Sequence, residues 1–134
     1  MKKKKIGLLL IALLVVTVLL VSVAAAAPPV KTLATPQLLY PKSDQVFNYY
    51  PRTLTLQWKA VPGATGYLVE WQYSDPTSKI WADGPYDNHV TTTDTWFTFN
   101  FVGAQPGRWH VTALGTNPLL NSKPSKWGTF TFLI

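Results

Sequence analysis

The segment from Arg52 to Tyr73 constrains the fold of this chain more than any other. Its two runs LTLQW (54–58) and YLVEW (67–71) alternate almost regularly between apolar and polar residues. Pro62-Gly63 and Gly66 lie between the runs and favour turn geometry. Because a period of two places the apolar side chains of a strand on one face, each run must bury that face. The segment therefore predicts two β-strands joined by a short turn.

Similar short runs continue to the end of the sequence, separated by turn residues about every 8–12 positions. They leave an irregular stretch at 74–88, a turn at 105–107 and a loop at 115–125, and no segment has helical periodicity. About seven short strands in roughly 100 residues predict an all-β, immunoglobulin-like sandwich of two antiparallel sheets. The first predicted strand is an edge strand at 37–40, which Pro41 interrupts and which resumes at 46–47. The others are 53–58, 67–73, 90–93, 96–101, 108–114 and 127–134.

These strands resemble those of fibronectin type III domains. The run LTLQWKAVPGATGYLVEW resembles the B strand, turn and C strand of that family, and RWHVTALG resembles the F strand of its bacterial members. SKPSKWGTFTF resembles the G strand, so the likeness extends over 36–134. The resemblance implies that Trp58 and Tyr67 pack at the centre of the sandwich. One family feature is missing, because Gly107 stands where many members carry the tyrosine of the tyrosine corner.

The strand patterns also place other aromatic residues in the core. Trp58, Trp71 and Trp109 occupy inward positions of their strands, and we expect all three to be buried. The chain contains no cysteine, so its core must form without disulfides. All six Trp and all six Phe residues follow Tyr40, and each can bury about 150–250 Å².

The first 26 residues have the layout of a secretory signal peptide. Lys2–Lys5 are followed by an apolar run at 6–23 and by Ala24–Ala27, a small-residue cleavage site. We expect cleavage after Ala26, a linker at 27–35 and the domain at 36–134. The apolar run is also long enough to remain as a membrane anchor with its N-terminus in the cytoplasm. The alternatives are a secreted or cell-surface protein, of bacterial type, and a single-pass membrane protein with its C-terminal domain outside.

Charge argues against a nucleic-acid partner. The formal net charge of +6 includes Lys2–Lys5, and the rest of the chain has eight basic and six acidic residues, a balance of +2. The basic residues are scattered, whereas nucleic-acid binding needs a clustered basic face.

Signals for catalysis are poor. The chain lacks cysteine and a Gly-x-Ser-x-Gly motif, and its only histidines are His89 and His110. Glu70 is the only glutamate, and we expect it and His110 to be exposed strand residues. The polar cluster at 83–89 offers oxygen ligands that calcium prefers, but turn chemistry explains the same residues. We therefore expect neither catalysis, nor a metal, nor a cofactor.

Aromatic residues outside the core are the candidates for binding. Trp81 and Tyr86 lie in the irregular stretch, Tyr49 and Tyr50 precede Pro51, and Trp96 is on the polar side of its strand. They are either lids on the core or exposed platforms for a sugar ring or a partner protein. The sequence thus favours an exported, non-catalytic module that binds a protein or a polysaccharide at or outside the cell envelope. The alternative is an anchored accessory subunit whose sandwich packs on a neighbouring subunit.

Overall fold

The computed structural model describes residues 29–82 and 88–134. Within these ranges the chain forms nine β-strands and a short 3₁₀ helix, Pro118–Leu120, and it contains no helix of sufficient length and hydropathy to cross a membrane. The strands are β1 (Leu38–Tyr40), β2 (Gln45–Phe47), β3 (Thr53–Trp58), β4 (Gly66–Ser74), β5 (Trp81–Ala82), β6 (His89–Thr92), β7 (Trp96–Asn100), β8 (Pro106–Leu114) and β9 (Gly128–Phe132).

The strands form two sheets that pack face to face. The smaller sheet has the order β1-β3-β7, and the larger has the order β2-β9-β8-β4, with β5 and β6 both paired to β4. All pairs are antiparallel except β2 and β9. This arrangement confirms the predicted immunoglobulin-like sandwich.

The two strands of the 52–73 segment lie in opposite sheets and do not form a hairpin. β3 pairs with β1 and β7, whereas β4 pairs with β8, β5 and β6. The connection between them crosses the sandwich, and a hydrogen bond of 2.9 Å from the Val61 N–H to the Tyr67 hydroxyl holds it. Gly63 takes a φ of 84° in the turn, a conformation that favours glycine. Each strand thus buries its apolar face against the other sheet.

Large aromatic residues fill the space between the sheets. Trp58 of β3 lies with its ring centre 5.5 Å from that of Tyr67 and 6.3 Å from that of Trp109, and all three residues are buried. Trp71 is half-buried, and its ring centre is 4.7 Å from that of Phe99. The other buried apolar side chains are Phe47, Leu54, Leu56, Val61, Val69, Phe101, Val111, Ala113, Phe130 and Phe132.

Several boundaries differ from the sequence prediction. Nine strands form instead of about seven, because β2 and β5 pair as separate short pieces. The stretch 74–88 contains β5, since a turn brings Trp81 back beside Ser74. β8 begins at Pro106, in the predicted turn, because Gly107 pairs with both Tyr73 and Phe130.

Element boundaries in the C-terminal part of the chain also differ from the sequence prediction. The last strand covers Gly128–Phe132 and not 127–134. The predicted loop at 115–125 contains the 3₁₀ helix, which Asn117 caps by accepting the Leu119 N–H at 2.9 Å. The predicted linker also contacts the domain, since the Leu33 N–H donates to the Leu120 carbonyl at 2.9 Å and Leu33 packs against the core.

Two phenylalanine rings, those of Phe101 and Phe130, occupy the space directly beside Gly107. Gly107 is buried, and a Cβ atom there would lie 2.8 Å from Phe101 Cζ and closer still to the ring of Phe130. Since real Cβ atoms are not found so near a ring carbon, both rings can occupy these positions only because residue 107 has no side chain.

We expect Gly107→Ala to lower the free energy of unfolding by about 1–3 kcal/mol, because the added methyl group overpacks the core. Phe130→Leu should relieve part of this cost. In a double-mutant cycle measured by denaturant unfolding, Gly107→Ala should therefore cost less in the Phe130→Leu background than in the wild type. Equal costs in the two backgrounds would contradict the proposed packing.

Candidate functional site

The aromatic residues predicted for binding do not converge on one site. Trp96 is on the outer face of the smaller sheet, Trp81 is on β5 of the larger sheet, and Tyr49 and Tyr50 precede β3. Tyr86 lies outside the described residues. The surroundings of each aromatic residue therefore decide whether its ring is available to a ligand.

Tyr49 serves as a lid on the core. Its ring centre is 5.6 Å from that of Phe47 and 5.4 Å from that of Phe132, and its hydroxyl donates to the Thr53 carbonyl at 2.8 Å. Burial, with a smaller contribution from Tyr40, raises the pKa of the Tyr49 hydroxyl. Tyr50 is different, because it is 85% exposed. In the described ranges its ring has one cation–π contact, with the guanidinium carbon of Arg52 at 5.8 Å from the ring centre.

Trp81 takes part in a stack on the outer face of the larger sheet. The Arg108 guanidinium carbon lies 4.6 Å from the ring centre of Trp81 and 4.3 Å from that of Trp127. Burial lowers the pKa of the Arg108 guanidinium, which is still a cation at neutral pH. Cation–π contacts of this kind contribute about 0.5–1 kcal/mol each at exposed sites and more when desolvated. One indole face of Trp81 is therefore already engaged within the chain.

The stack continues to His110 and Glu70. The His110 ring lies 3.8 Å from the Trp127 ring at an interplanar angle of 11°, and His110 Nε2 is 2.8 Å from Glu70 Oε2. The sequence predicts that both residues are exposed. The His110 side chain instead keeps only 15% of its accessible surface, because the Trp127 indole covers it, whereas that of Glu70 keeps 41%.

The pairing of β4 with β8 builds this stack. Residues directly opposite in an antiparallel pair share a face, and the register places Gln72 opposite Arg108 and Glu70 opposite His110. Gln72 Oε1 accepts hydrogen bonds from Arg108 Nε at 2.8 Å and from Nη2 at 2.6 Å. The stack is therefore tied to both central strands of the larger sheet.

Two serines place Trp127 over β8. The Ser122 hydroxyl accepts the Ala113 N–H at 2.8 Å, and the Ser125 hydroxyl accepts the Val111 N–H at 3.1 Å. The serine N–H groups donate back to the carbonyls of the same two residues. This segment thus runs along β8 through both side-chain and backbone hydrogen bonds of the two serines before β9 begins. Sequence reasoning missed Arg108, His110 and Trp127 as one cluster, although the alternation in RWHVT predicts that the first two share a face.

A tight turn delivers Trp81 to β5. The Asp75 carboxylate accepts hydrogen bonds from the N–H groups of Thr77 and Ser78, at 2.9 and 2.7 Å, and from the Ser78 hydroxyl at 3.0 Å. These hydrogen bonds, those from Ser78 above all, lower the pKa of Asp75. Lys79 takes a φ of 60°, and the Asp75 N–H donates to the Ile80 carbonyl at 2.9 Å. Trp81 follows at once, so its position depends on this turn.

Trp96 has open surroundings. It is 52% exposed and stands opposite Gln57 on the outer face of the smaller sheet. Two hydrogen bonds between uncharged side chains join β3 to β7 on this face. The hydroxyl oxygens of Thr55 and Thr98 are 2.7 Å apart, and the Thr53 hydroxyl donates to Asn100 Oδ1 at 2.7 Å. We call the six residues the Trp96 face: Thr53, Thr55, Gln57, Trp96, Thr98 and Asn100.

The described residues do not assemble a recognisable catalytic or metal-binding constellation. Glu70 and His110 form a pair, but in the described ranges no hydrogen bond joins a serine or threonine hydroxyl to either side chain. No three His, Cys, Asp or Glu side chains there are grouped to hold a metal ion. Part of the polar cluster at 83–89, with its potential oxygen ligands for calcium, lies outside those ranges. The geometry present is suited to stacking and hydrogen bonding.

We expect Arg108→Ala to lower the free energy of unfolding by about 1–3 kcal/mol, since it removes two cation–π contacts and the hydrogen bonds to Gln72. Arg108→Lys should recover less than half of the loss, because an ammonium group cannot replace a planar guanidinium between two indoles. Denaturant unfolding measures both, with Lys126→Ala as the control for loss of an exposed cation. If Arg108→Lys were as stable as the wild type, the positive charge alone, and not the planar guanidinium, would account for the contribution of residue 108 to stability.

Comparisons with known proteins bear on the fold. No protein-family model matches the sequence, and no curated protein matches it. Among solved structures, the chain is similar to the fibronectin type III domain of the human collagen alpha-1(XX) chain, with 18% identity and a TM-score of 0.53 over 81% of this chain and 93% of that one. It is also similar to a fibronectin type III-like protein from Clostridium thermocellum, with 21% identity and a TM-score of 0.50 over 78% of this chain and 96% of that one. Together with the sheet order, these likenesses identify the fold of this chain as fibronectin type III-like.

Proposed function

We propose that this protein is an exported, non-catalytic binding module and that the Trp96 face binds an uncharged polysaccharide. The observation that carries the proposal is an indole 52% exposed beside hydroxyl and amide side chains, on two strands that contain no charged residue. Tryptophan is costly to expose and is enriched at binding surfaces, where its ring packs on a ligand.

The chemistry of the Trp96 face fits a sugar polymer. The C–H groups of a sugar ring pack favourably on the electron-rich face of an indole, and hydroxyl and amide side chains exchange hydrogen bonds with sugar hydroxyls. From Trp96 to Asn100 the face is about 14 Å long, at about 3.4 Å per residue. A long, open surface of this kind suits an extended chain better than a small molecule, which usually binds in a concave pocket.

The Trp96 face supports binding better than the stack around Arg108. In the stack, Trp81 and Trp127 both contact the guanidinium, and Trp127 also covers His110. A ligand there would have to compete with contacts that the chain already makes. Trp96 has no such competing ring partner in the described ranges, since the outer-face residue opposite it is Gln57.

Export rests on the N-terminal sequence. Lys2–Lys5, the apolar run at 6–23 and the small residues Ala24–Ala27 support secretion through the general route. Outside the cell, an uncharged polysaccharide is an accessible ligand.

We expect Trp96→Ala to lower affinity for an insoluble uncharged polysaccharide such as cellulose or chitin about tenfold or more, because burying an indole contributes about 1.5–3 kcal/mol. Co-sedimentation across a panel of such polymers measures the affinity. Binding should persist at about 1 M salt, where electrostatic attraction between exposed groups is screened.

Tyr50→Ala is the matched control, since it removes another exposed aromatic residue near the opposite end of β3. The Tyr50→Ala variant should bind the polysaccharide with wild-type affinity. Near-ultraviolet circular dichroism should show an intact core in both variants. Unchanged retention of Trp96→Ala, or equal loss in both variants, would contradict the proposal. Capture of a protein in place of any polymer, through Trp96, would instead support the protein-binding version.

The intact mass of the protein recovered from its native host tests export separately. We expect a mass that lacks the first 26 residues, because the alanine run fits a peptidase site. A full-length mass in the membrane fraction would support the alternative of an anchored accessory subunit.

A further inference from the structure

β7 is an edge strand without the usual protection. Within the described residues it pairs with β3 alone, and its five residues make it longer than the other edge strands, which have two to four. Proteins usually shield sheet edges with short strands, bulges, proline or charge. β1 has an irregular register and is followed by Pro41, whereas WFTFN of β7 contains neither proline nor a charged residue.

The hydrogen bonds to β3 show which backbone groups of β7 point to the free edge. The Phe101 N–H donates to the Arg52 carbonyl at 2.9 Å, and the Trp58 N–H donates to the Thr95 carbonyl at 3.0 Å. Because hydrogen-bonded pairs alternate along an antiparallel ladder, Phe97 and Phe99 also turn their backbone groups to β3. The N–H and C=O groups of the intervening residues therefore face outward, and these residues are Trp96, Thr98 and Asn100.

The sequence of β7 is nearly symmetric about Thr98. Two phenylalanines flank it, and Trp96 and Asn100 follow on either side. If two copies pair antiparallel with Thr98 opposite Thr98, every outward backbone group of the strand meets a complementary one, and Phe97 of each copy lies opposite Phe99 of the other. We propose that two copies of this chain associate through β7 in this register, forming one continuous six-stranded sheet from two three-stranded ones.

Burial and charge favour a second copy as the occupant. Phe97 and Phe99 point inward but are only half-buried, so the pairing would cover ring surface that the single domain leaves accessible. The nearest charged neighbour in sequence, Asp94, would lie opposite Val102 of the second copy, so no like charges oppose each other. A contact of one strand is small, so the dimer should dissociate on dilution.

The two-fold axis would run perpendicular to the sheet, so both copies would present the same face. Each Trp96 would then lie opposite Asn100 of the second copy. The two indoles would be about 14 Å apart along one surface, at about 3.4 Å per residue and about 4.8 Å between strands. The dimer would thus join two Trp96 faces into one, although the pairing itself does not depend on a ligand.

Cysteine cross-linking of the full chain tests the register. The chain has no natural cysteine, so Thr98→Cys introduces a single thiol at the two-fold axis. Facing residues of a hydrogen-bonded antiparallel pair have Cα atoms about 5.5 Å apart, within the range that a disulfide spans. The matched control is Thr55→Cys, which removes the same Thr55–Thr98 hydrogen bond but lies on the central strand β3.

Under mild oxidation at micromolar concentration, we expect Thr98→Cys to form a covalent dimer and Thr55→Cys to remain mostly monomeric on a non-reducing gel. A second pair of variants, Thr98→Lys and Thr55→Lys, tests dimerisation without a cross-link. Sedimentation measures the dimer fraction of each as a function of protein concentration. Thr98→Lys should lose concentration-dependent dimerisation, because two like charges meet at the axis, and Thr55→Lys should keep it. Absence of cross-linking in Thr98→Cys, or equal cross-linking in both cysteine variants, would overturn the proposal.

Discussion

The pairing of β4 with β8 is the constraint on which the rest of the structure depends. Eight consecutive residue pairs join these strands, from Gly66 opposite Leu114 to Tyr73 opposite Gly107. On the inner face this register brings Val69 beside Val111 and Trp71 beside Trp109, whose ring centre lies 6.3 Å from that of Trp58 in the other sheet. On the outer face the same register aligns the polar partners of the stack. A slip by one residue would exchange the two faces, so core and stack specify the register together.

The strand pattern predicts most of the fold. Alternation fixes which residues of β3, β4, β7 and β8 face inward, because one side of each strand must be buried. Alternation is silent about which strands share a sheet, so β3 and β4 look like a hairpin in the sequence although they lie in opposite sheets. The two-residue strand β5 also escapes the pattern, because it depends on the turn that starts at Asp75.

The candidate sites were less predictable, for a physical reason. Trp96 is identifiable from the sequence because its position on the polar side of one strand depends on that strand alone. The stack needs residues from four separate segments, represented by Gln72, Trp81, Arg108 and Trp127, and only the sheet register with the Ser122 and Ser125 hydrogen bonds brings them together. Glu70 and His110 looked like ordinary exposed strand residues for the same reason.

The outer faces of the two sheets therefore use aromatic residues in opposite ways. On the larger sheet, indoles enclose a cation and cover a histidine, which stabilises the chain internally. On the smaller sheet, Trp96 stands beside uncharged side chains with much of its surface accessible. Exposure alone does not distinguish an aromatic residue that covers the core from one that is free to bind a ligand. Tyr49 is exposed, yet its ring packs against that of Phe132. The contacts of each ring make the distinction, and they favour the smaller sheet as the binding surface.

The most direct test of this account is nuclear magnetic resonance of the protein titrated with a soluble, uncharged oligosaccharide. The six tryptophans provide six indole N–H signals that report on separate parts of the molecule. We expect the Trp96 indole signal and the amide signals of β3 and β7 to shift as ligand is added, while the indole signals of Trp81 and Trp127 stay unchanged. Shifts confined to Trp81 and Trp127 would contradict it and would place binding on the larger sheet.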